Sequence, residues 1–401
     1  MPLIHLTKIK KISRLVYILP LLIVLIIAGC ENNPTNLGLN FISPDDTLGT
    51  RILDTTLISN TNYKKFIPTY GSSSMLIGNA NVTGGQYTSK SLLRFLNIPN
   101  TFQGAKVLSA SLKLVYNKYA FKDTTGITAF NIYKLNRNIN FQGATNDSVS
   151  ASDIGSVSYA NYSGTPTSSS QVLNITLSNQ LVKDWIEYAA DTAYAVKNYG
   201  LALMPSAGAN TVKGFYNELA VDSIQPKITV SLRTATRDTI ITISSPSSLA
   251  LSDAPASLIP TSQYFLIQNG VSFRNIMKFN FPNLPSNVII NEAYLELKLN
   301  SAQSYLTGFT DNRLNVVQVM DSLALTMLDD GYFLTRLDSI TYSVRINKIV
   351  QRWNQSINPN YGIMMFCPSE IQNLDNFVFY SSDNPDVAMR PKLRVRYSLR
   401  Q

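Results

Sequence analysis

Apolar and polar residues alternate along most of this chain, the period-two signature of β-strands that bury one face. In Val107–Tyr116, Leu108, Ala110, Leu112 and Leu114 fall on one side. Thr128–Tyr133, Val172–Leu177, Tyr199–Leu203 and Lys227–Leu232 repeat the pattern with turn residues between them. At two places the period lengthens. Leu181, Val182 and Trp185 form one stripe; Ile346, Ile349, Val350 and Trp353 stand at i, i+3, i+4 and i+7. Each predicts one short amphipathic helix. The Ser/Gly/Asn/Thr-rich stretch from about 138 to 170 predicts long loops.

The two helical stripes belong to a passage written twice. Leu181–Trp185 is followed by Asn198–Leu203, Phe215-Tyr216 and Gln225–Val230; Ile349–Trp353 is followed by Asn360–Met365, Phe379-Tyr380 and Arg390–Val395. Trp185 and Trp353, Gly200 and Gly362, and Pro226 and Pro391 mark equivalent positions. Upstream, Ser91–Phe95 matches Asn275–Phe279, and the strand holding Ala110 matches Glu292–Leu299. This is a tandem duplication, with repeats at 51–234 and 235–401. Many short strands and one helix per repeat predict an all-β protein: two tandem antiparallel jelly-roll-like β-sandwiches. Trp185 to Gly200 spans 15 residues and Trp353 to Gly362 spans 9, so the repeats differ mainly in loops, where binding differences reside.

Residues 1–29 break the alternation. Lys8–Arg14 is basic, Leu15–Ile27 is almost wholly apolar, and Ala28-Gly29-Cys30 closes the run. This apolar length suits a signal-peptide core and is short for a membrane-spanning helix of about 20 residues. Ile27-Ala28-Gly29-Cys30 resembles the lipobox of bacterial lipoproteins. The resemblance implies cleavage before Cys30, acylation of its thiol and amine, and, with Glu31 rather than aspartate following, an outer-membrane address facing periplasm or cell surface. Palmitate-type chains make a durable membrane anchor, at about 0.8 kcal/mol per buried methylene. Residues 30–50, with Pro, Gly, Asn and Asp and little periodicity, read as a flexible tether.

Composition supports an extracytoplasmic β-protein: 45% hydrophobic but only 15% charged, against about 25% charged in ordinary domains. The net charge of +9 falls to +5 once Lys8, Lys10, Lys11 and Arg14 leave with the signal segment, 30 bases against 25 acids. These bases are scattered, which argues against a nucleic-acid partner.

The repeated blocks resemble DNRLRE-type extracellular β-sandwich modules, akin to the family 96 carbohydrate-binding modules. The shared features are a Leu93-x-Phe95 strand, the Ala110-x-Leu112-x-Leu114 strand, the Val182-x-x-Trp185 helix, the Asn198-x-Gly200 turn and the closing Pro226–Val230 strand, with their second-copy equivalents. The asparagine-arginine segment that names the family is replaced by Asn217-Glu218 and Ser381-Ser382. The resemblance implies the sandwich fold and carbohydrate binding.

Candidate chemistry is sparse. The single histidine, His5, lies in the signal segment, so the mature chain lacks Ser-His-Asp and Cys-His machinery and histidine zinc sites. Lipidated Cys30 leaves Cys367 as one thiol, with no intramolecular disulfide. A glycosidase needs only two carboxylates, but no spacing defines such a pair, and no enzyme activity is expected. Trp185 and Trp353, on apolar stripes, read as core anchors rather than sugar platforms. Tyrosine offers an apolar face and a hydroxyl, and Tyr159, Tyr162, Tyr194, Tyr264, Tyr305 and Tyr332 are the ligand candidates, expected in loops. Asp329-Asp330-Gly331 offers carboxylates to a structural Ca²⁺ without the twelve-residue loop spacing; an ordinary turn is the competing reading. The expected function is a lipid-anchored envelope protein binding polysaccharide or surface glycan. The alternative is an assembly scaffold or adhesion stalk whose partner is an envelope protein.

Overall fold

A computed structural model describes residues 49–400, apart from 56, 83–84, 255–257 and 259–261. The signal segment, the lipobox with Cys30, and the tether up to residue 48 lie outside the described residues. Two antiparallel eleven-stranded sheets, each curled into a sandwich, organise the described residues, with helices α1 (Asn179–Ala190) and α2 (Asn347–Asn354).

The first sandwich holds β3 (Ser74–Val82), β4 (Gly85–Arg94), β5 (Lys106–Phe121), β6 (Thr128–Leu135), β7 (Ile154–Gly164), β8 (Val172–Thr176), β9 (Leu201–Pro205), β10 (Val212–Tyr216) and β11 (Lys227–Arg233). The second holds β14 (Tyr264–Gln268), β15 (Phe273–Phe279), β16 (Ile289–Lys298), β17 (Leu314–Val319), β18 (Met327–Arg336), β19 (Thr341–Arg345), β20 (Ile363–Phe366), β21 (Asn376–Tyr380) and β22 (Lys392–Ser398). The duplication reappears as pairing. The neighbours β3–β10, β4–β9, β6–β9, β6–β7, β5–β8 and β5–β11 recur as β14–β21, β15–β20, β17–β20, β17–β18, β16–β19 and β16–β22.

Each sandwich closes on its own core. Leu112, Leu114, Phe130, Trp185, Phe215 and Val230 meet inside the first; Leu295, Leu297, Val316, Trp353, Phe379 and Val395 meet inside the second. Trp185 is 1% and Trp353 8% exposed, so both helices are held by a buried indole. The motif around the repeated glycines is backbone engineering. Gly200 and Gly362 have φ of +110° and +94°, and a Cβ would sit 2.3 Å from the Leu93 carbonyl oxygen and 2.4 Å from that of Met277. Two residues earlier, the Asn198 amide donates to the Phe95 carbonyl at 2.7 Å and the Asn360 amide to the Phe279 carbonyl at 2.9 Å. Where the naming segment of the resembled family would stand, Asn217 donates to the Ser72 carbonyl and Ser381 to that of Ser262, fixing the entry to β3 and to β14.

Two expectations need correction. The 138–170 stretch contains an eleven-residue strand, β7. It pairs only with β6 at the sheet edge, where partly solvated faces need no apolar alternation. Ahead of it, Ile139, Phe141, Ala144 and Val149 cover the outer face of the sheet. The second correction concerns residue 234, which divides the repeats but not the sandwiches. The strands β12 (Asp238–Ser244) and β13 (Ser247–Asp253) open the second repeat, yet pair with β11 and β4 of the first sandwich rather than with each other. Reciprocally, β1 (Thr50–Thr55) and β2 (Leu57–Lys64) open the first repeat and pair with β22 and β15 of the second. Each repeat gives its two leading strands to the other. The ends of β2 and β13 meet where the Lys64 ammonium contacts the Asp253 carboxylate and the Ala254 carbonyl.

The sandwiches share a buried joint of Leu76, Tyr87, Tyr119 and Phe121 against Leu266, Val271, Phe273 and Leu374. Polar side chains that reach across the joint are paired there. Tyr87 donates to Gln268 at 3.1 Å, Tyr119 to Asp375 at 3.0 Å, and Tyr305 to the Ala120 carbonyl at 2.8 Å. The fully buried Asp375 carboxylate also accepts from the Thr307 amide and hydroxyl and from the Thr310 hydroxyl. Arg51–Gln401 accordingly form one compact unit.

Candidate functional site

The six candidate tyrosines separate by what already occupies them. Tyr159 and Tyr162 lie in β7, Tyr264 in β14 and Tyr332 in β18; only Tyr194 and Tyr305 lie between strands. Tyr159 and Tyr162 pack on the first core, the latter tilted against Phe130 with centroids 5.4 Å apart. The Tyr194 hydroxyl donates to Asp184 at 3.0 Å. Tyr264 packs beside Tyr380 at 5.4 Å, and Tyr305 seals the joint against Phe121 at 5.2 Å. These five are spent on structure.

Tyr332 differs. It borders an open cleft of about 500 Å³ with Phe333, Arg345, Asn347, Lys348 and Asp330. The cleft forms where β18 passes the end of β19 and the first turn of α2. A bulge at residues 329–331, with Gly331 at φ +73°, shifts the register of β18 against β17 by two residues. A bulge re-aims the side chains that follow it, here Tyr332 and Phe333. Phe333 is 38% exposed; the Arg313 guanidinium covers it, 5.1 Å from its centroid.

The bulge also decides the fate of the acidic pair. The Asp329 carboxylate accepts from the Gly331 amide at 2.8 Å. Asp330 is held by both terminal nitrogens of Arg352, one of them at 3.1 Å. The acids therefore shape a strand bulge rather than an ordinary turn, and the Asp330 oxygens are committed to a guanidinium rather than offered to Ca²⁺. No group of three or more metal-ligating acids, cysteines or histidines occurs among the described residues. Asp330 in turn raises the Arg352 pKa through its hydrogen bonds. Burial, reinforced by the Asp330 charge, raises the Tyr332 phenol above its ordinary value, so the ring enters neutral pH as a neutral donor.

With Asp330 neutralised, the exposed cations Arg345 and Lys348 set the sign of the cleft. Neither forms an ion pair among the described residues. Arg345 donates to the Asn291 carbonyl at 3.1 Å, which fixes its position on the rim. The cleft thus offers a half-buried phenol, one amide and two cations. Sequence reading reached Tyr332 and Asp330 but missed Phe333, Arg345, Asn347 and Lys348. Their proximity is created by the bulge and by the β19–α2 corner; no motif spacing encodes it.

The remaining markers are structural. Cys367 is buried in the second core and its thiol pKa is pushed well up by burial, which suppresses thiolate reactivity. Pro226 precedes β11 and accepts from the Ser245 amide at 3.0 Å; Pro391 precedes β22. No helix among the described residues is long and apolar enough to cross a membrane.

No protein-family model matches the chain, and no curated protein matches it. Among solved structures, the C-terminal domain of the Streptococcus agalactiae AgI/II polypeptide BspA aligns over 85% of this chain and 92% of its own, at 9% identity and a TM-score of 0.15. A likeness at that score transfers neither fold nor function.

Proposed function

We propose that this protein is a lipid-anchored cell-envelope binding protein that takes an acidic polysaccharide or surface glycan in the β18–α2 cleft. The observation that carries the reading is the conjunction of Tyr332 with Arg345 and Lys348 in one open depression. Sugar C–H faces stack on aromatic rings, hydroxyls pair with phenol and amide, and carboxylate or sulfate substituents pair with the cations. The DNRLRE-type resemblance and the lipobox at Cys30 support the class and the address; the mature chain's lack of histidine argues against catalysis as its business.

Two measurements test this. Tyr332→Ala and Arg345→Ala should each weaken binding to immobilised uronate-containing or sulfated glycans by about tenfold, the loss expected for one stacking or charge-assisted contact. Equal binding by wild type and both variants would defeat the cleft assignment. Fatty-acid labelling in cells should mark the wild type and vanish in Cys30→Ala; persistent label would remove the anchor from the account.

A scaffold role is the second reading, favoured by the buried joint that makes two sandwiches a single stiff body. Silence across glycan arrays, with an envelope protein retained on the wild type, would select it.

A further inference from the structure

The outer face of the second sandwich continues the cleft. Tyr294 stands opposite Arg345 across β16–β19 and opposite Arg394 across β16–β22. Residues directly opposite in an antiparallel pair share a face, with their Cβ atoms about 5 Å apart. Arg394, Tyr294 and Arg345 therefore form one row across three strands, and Arg345 is also a wall of the cleft beside Tyr332. All three are exposed, Tyr294 to 38%. Arg345 is turned to the Asn291 carbonyl and Arg394 to Asp54 at 3.0 Å. No cation among the described residues stacks on the Tyr294 ring.

The duplication supplies an internal comparison. In the first sandwich the same row reads Thr229, Ser111 and Thr176. Ala160 faces Ile132 where Tyr332 faces Val316, and Gln180 precedes Leu181 where Lys348 precedes Ile349. Strand pairings, helix and buried indole are common to both copies; the rings and cations at these places belong to the second alone. The fold does not demand them, because the first sandwich makes the same pairings without them.

Charge along the row decides what can lie on it. Along β16, Tyr294 has Glu292 and Glu296 as its neighbours on the same face. Glu292 pairs with Arg396 at 3.5 Å, Glu296 stands opposite Lys392, and Asp54 bridges Lys392 and Arg394. Acids and bases around Tyr294 are thus balanced, and the surplus positive charge lies at Arg345 and Lys348. A carboxylated sugar on Tyr294 would meet two carboxylates; an uncharged one would stack on the ring and donate its hydroxyls to them. From this we infer that Tyr294 is a second aromatic subsite, specific for an uncharged sugar, and that the occupant is a polysaccharide in which acidic and neutral residues alternate. The acidic residue lies on Arg345 and Lys348, and its neutral neighbour stacks on Tyr294. The assignment rests on the cleft reading above. A uronate homopolymer is disfavoured, because it carries a carboxylate to the place between Glu292 and Glu296.

The test titrates the full-length protein with two polymers, one alternating glucuronate with N-acetylglucosamine, the other polygalacturonate. The alternating polymer should bind about tenfold more tightly, the difference expected for one stacking contact. Tyr294→Ala should erase that preference by weakening the alternating polymer while leaving polygalacturonate unchanged; Arg345→Ala should weaken both. Glu296→Gln should strengthen polygalacturonate, a gain that misfolding does not produce. Equal affinity for the two polymers, wild-type binding of the alternating polymer by Tyr294→Ala, or no gain in Glu296→Gln overturns the neutral subsite, while a loss in Arg345→Ala keeps the cleft. Wild-type binding by Arg345→Ala, or no binding of either polymer by the wild type, overturns the cleft and this inference with it.

Discussion

At the residue scale, the positions that define the repeat are the ones that solve a backbone problem twice. Asn198 and Asn360 each cap a carbonyl that a neighbouring strand leaves open, and Gly200 and Gly362 each let the chain pass against a carbonyl where a methyl group would collide. Gly200→Ala and Gly362→Ala therefore combine a left-handed φ with a contact near 2.3 Å, and each should cost roughly 3 kcal/mol or more. Gly71, at φ +84° with open space around its Cβ, separates the two contributions. Gly71→Ala should cost only about 1 kcal/mol, from backbone strain alone. Urea denaturation of the three variants reads the difference; equal costs would mean that the carbonyl contact contributes nothing. The tyrosines give the complementary lesson. Amphipathic rings seat wherever apolar surface meets a polar group, and five of the six candidates found such places inside the fold.

At the scale of elements, the amphipathic stripes of α1 and α2 are short levers fixed by one large side chain. Leu181, Val182, Trp185 and Ile186 of α1 are buried on the first core; Ile349, Val350 and Trp353 of α2 are buried on the second. Neither indole N–H has a protein acceptor, so the rings contribute through apolar packing. Trp185→Ala should destabilise by about 3–5 kcal/mol, while Trp185→Phe, which leaves no orphaned partner, should cost roughly 1–2 kcal/mol. Both are measured by denaturation followed through circular dichroism, and glycan affinity of Trp185→Phe should match wild type. Loss of affinity at wild-type stability would instead make Trp185 part of a binding surface. β7 and β2 show the limit of reading elements from alternation. Both are polar along much of their length, and both are strands because a neighbour's edge needs hydrogen-bond partners.

At the scale of the molecule, the joint makes folding of the two sandwiches interdependent and ties stability to tyrosine ionisation. Burial pushes Tyr87, in the joint, and Tyr116, in the first core, from 10.0 up to about 12, and both are no more than 3% exposed. Between pH 10 and 12 the unfolded chain releases these protons and the folded chain retains them. Stability is therefore intact below pH 10 and lost as pH rises toward 12, at a limiting slope of about 1.4 kcal/mol per pH unit for each tyrosine. Thermal melts across pH 9–12 should show this decline, and Tyr87→Phe should flatten it; an unchanged slope would mean that Tyr87 ionises without unfolding the joint. The duplication, the all-β class, the two helices and the indole anchors were all legible in the chain, because each rests on a local period or a repeated string. Periodicity reports which face of an element is buried but carries no term for which neighbour buries it. The pairing of β1–β2 with the second sandwich and of β12–β13 with the first was decided only in three dimensions, by sheet edges far apart in sequence. So was the cleft: Tyr332 was a named residue, but Arg345, Asn347 and Lys348 became its neighbours only through a bulge and a corner between strand and helix.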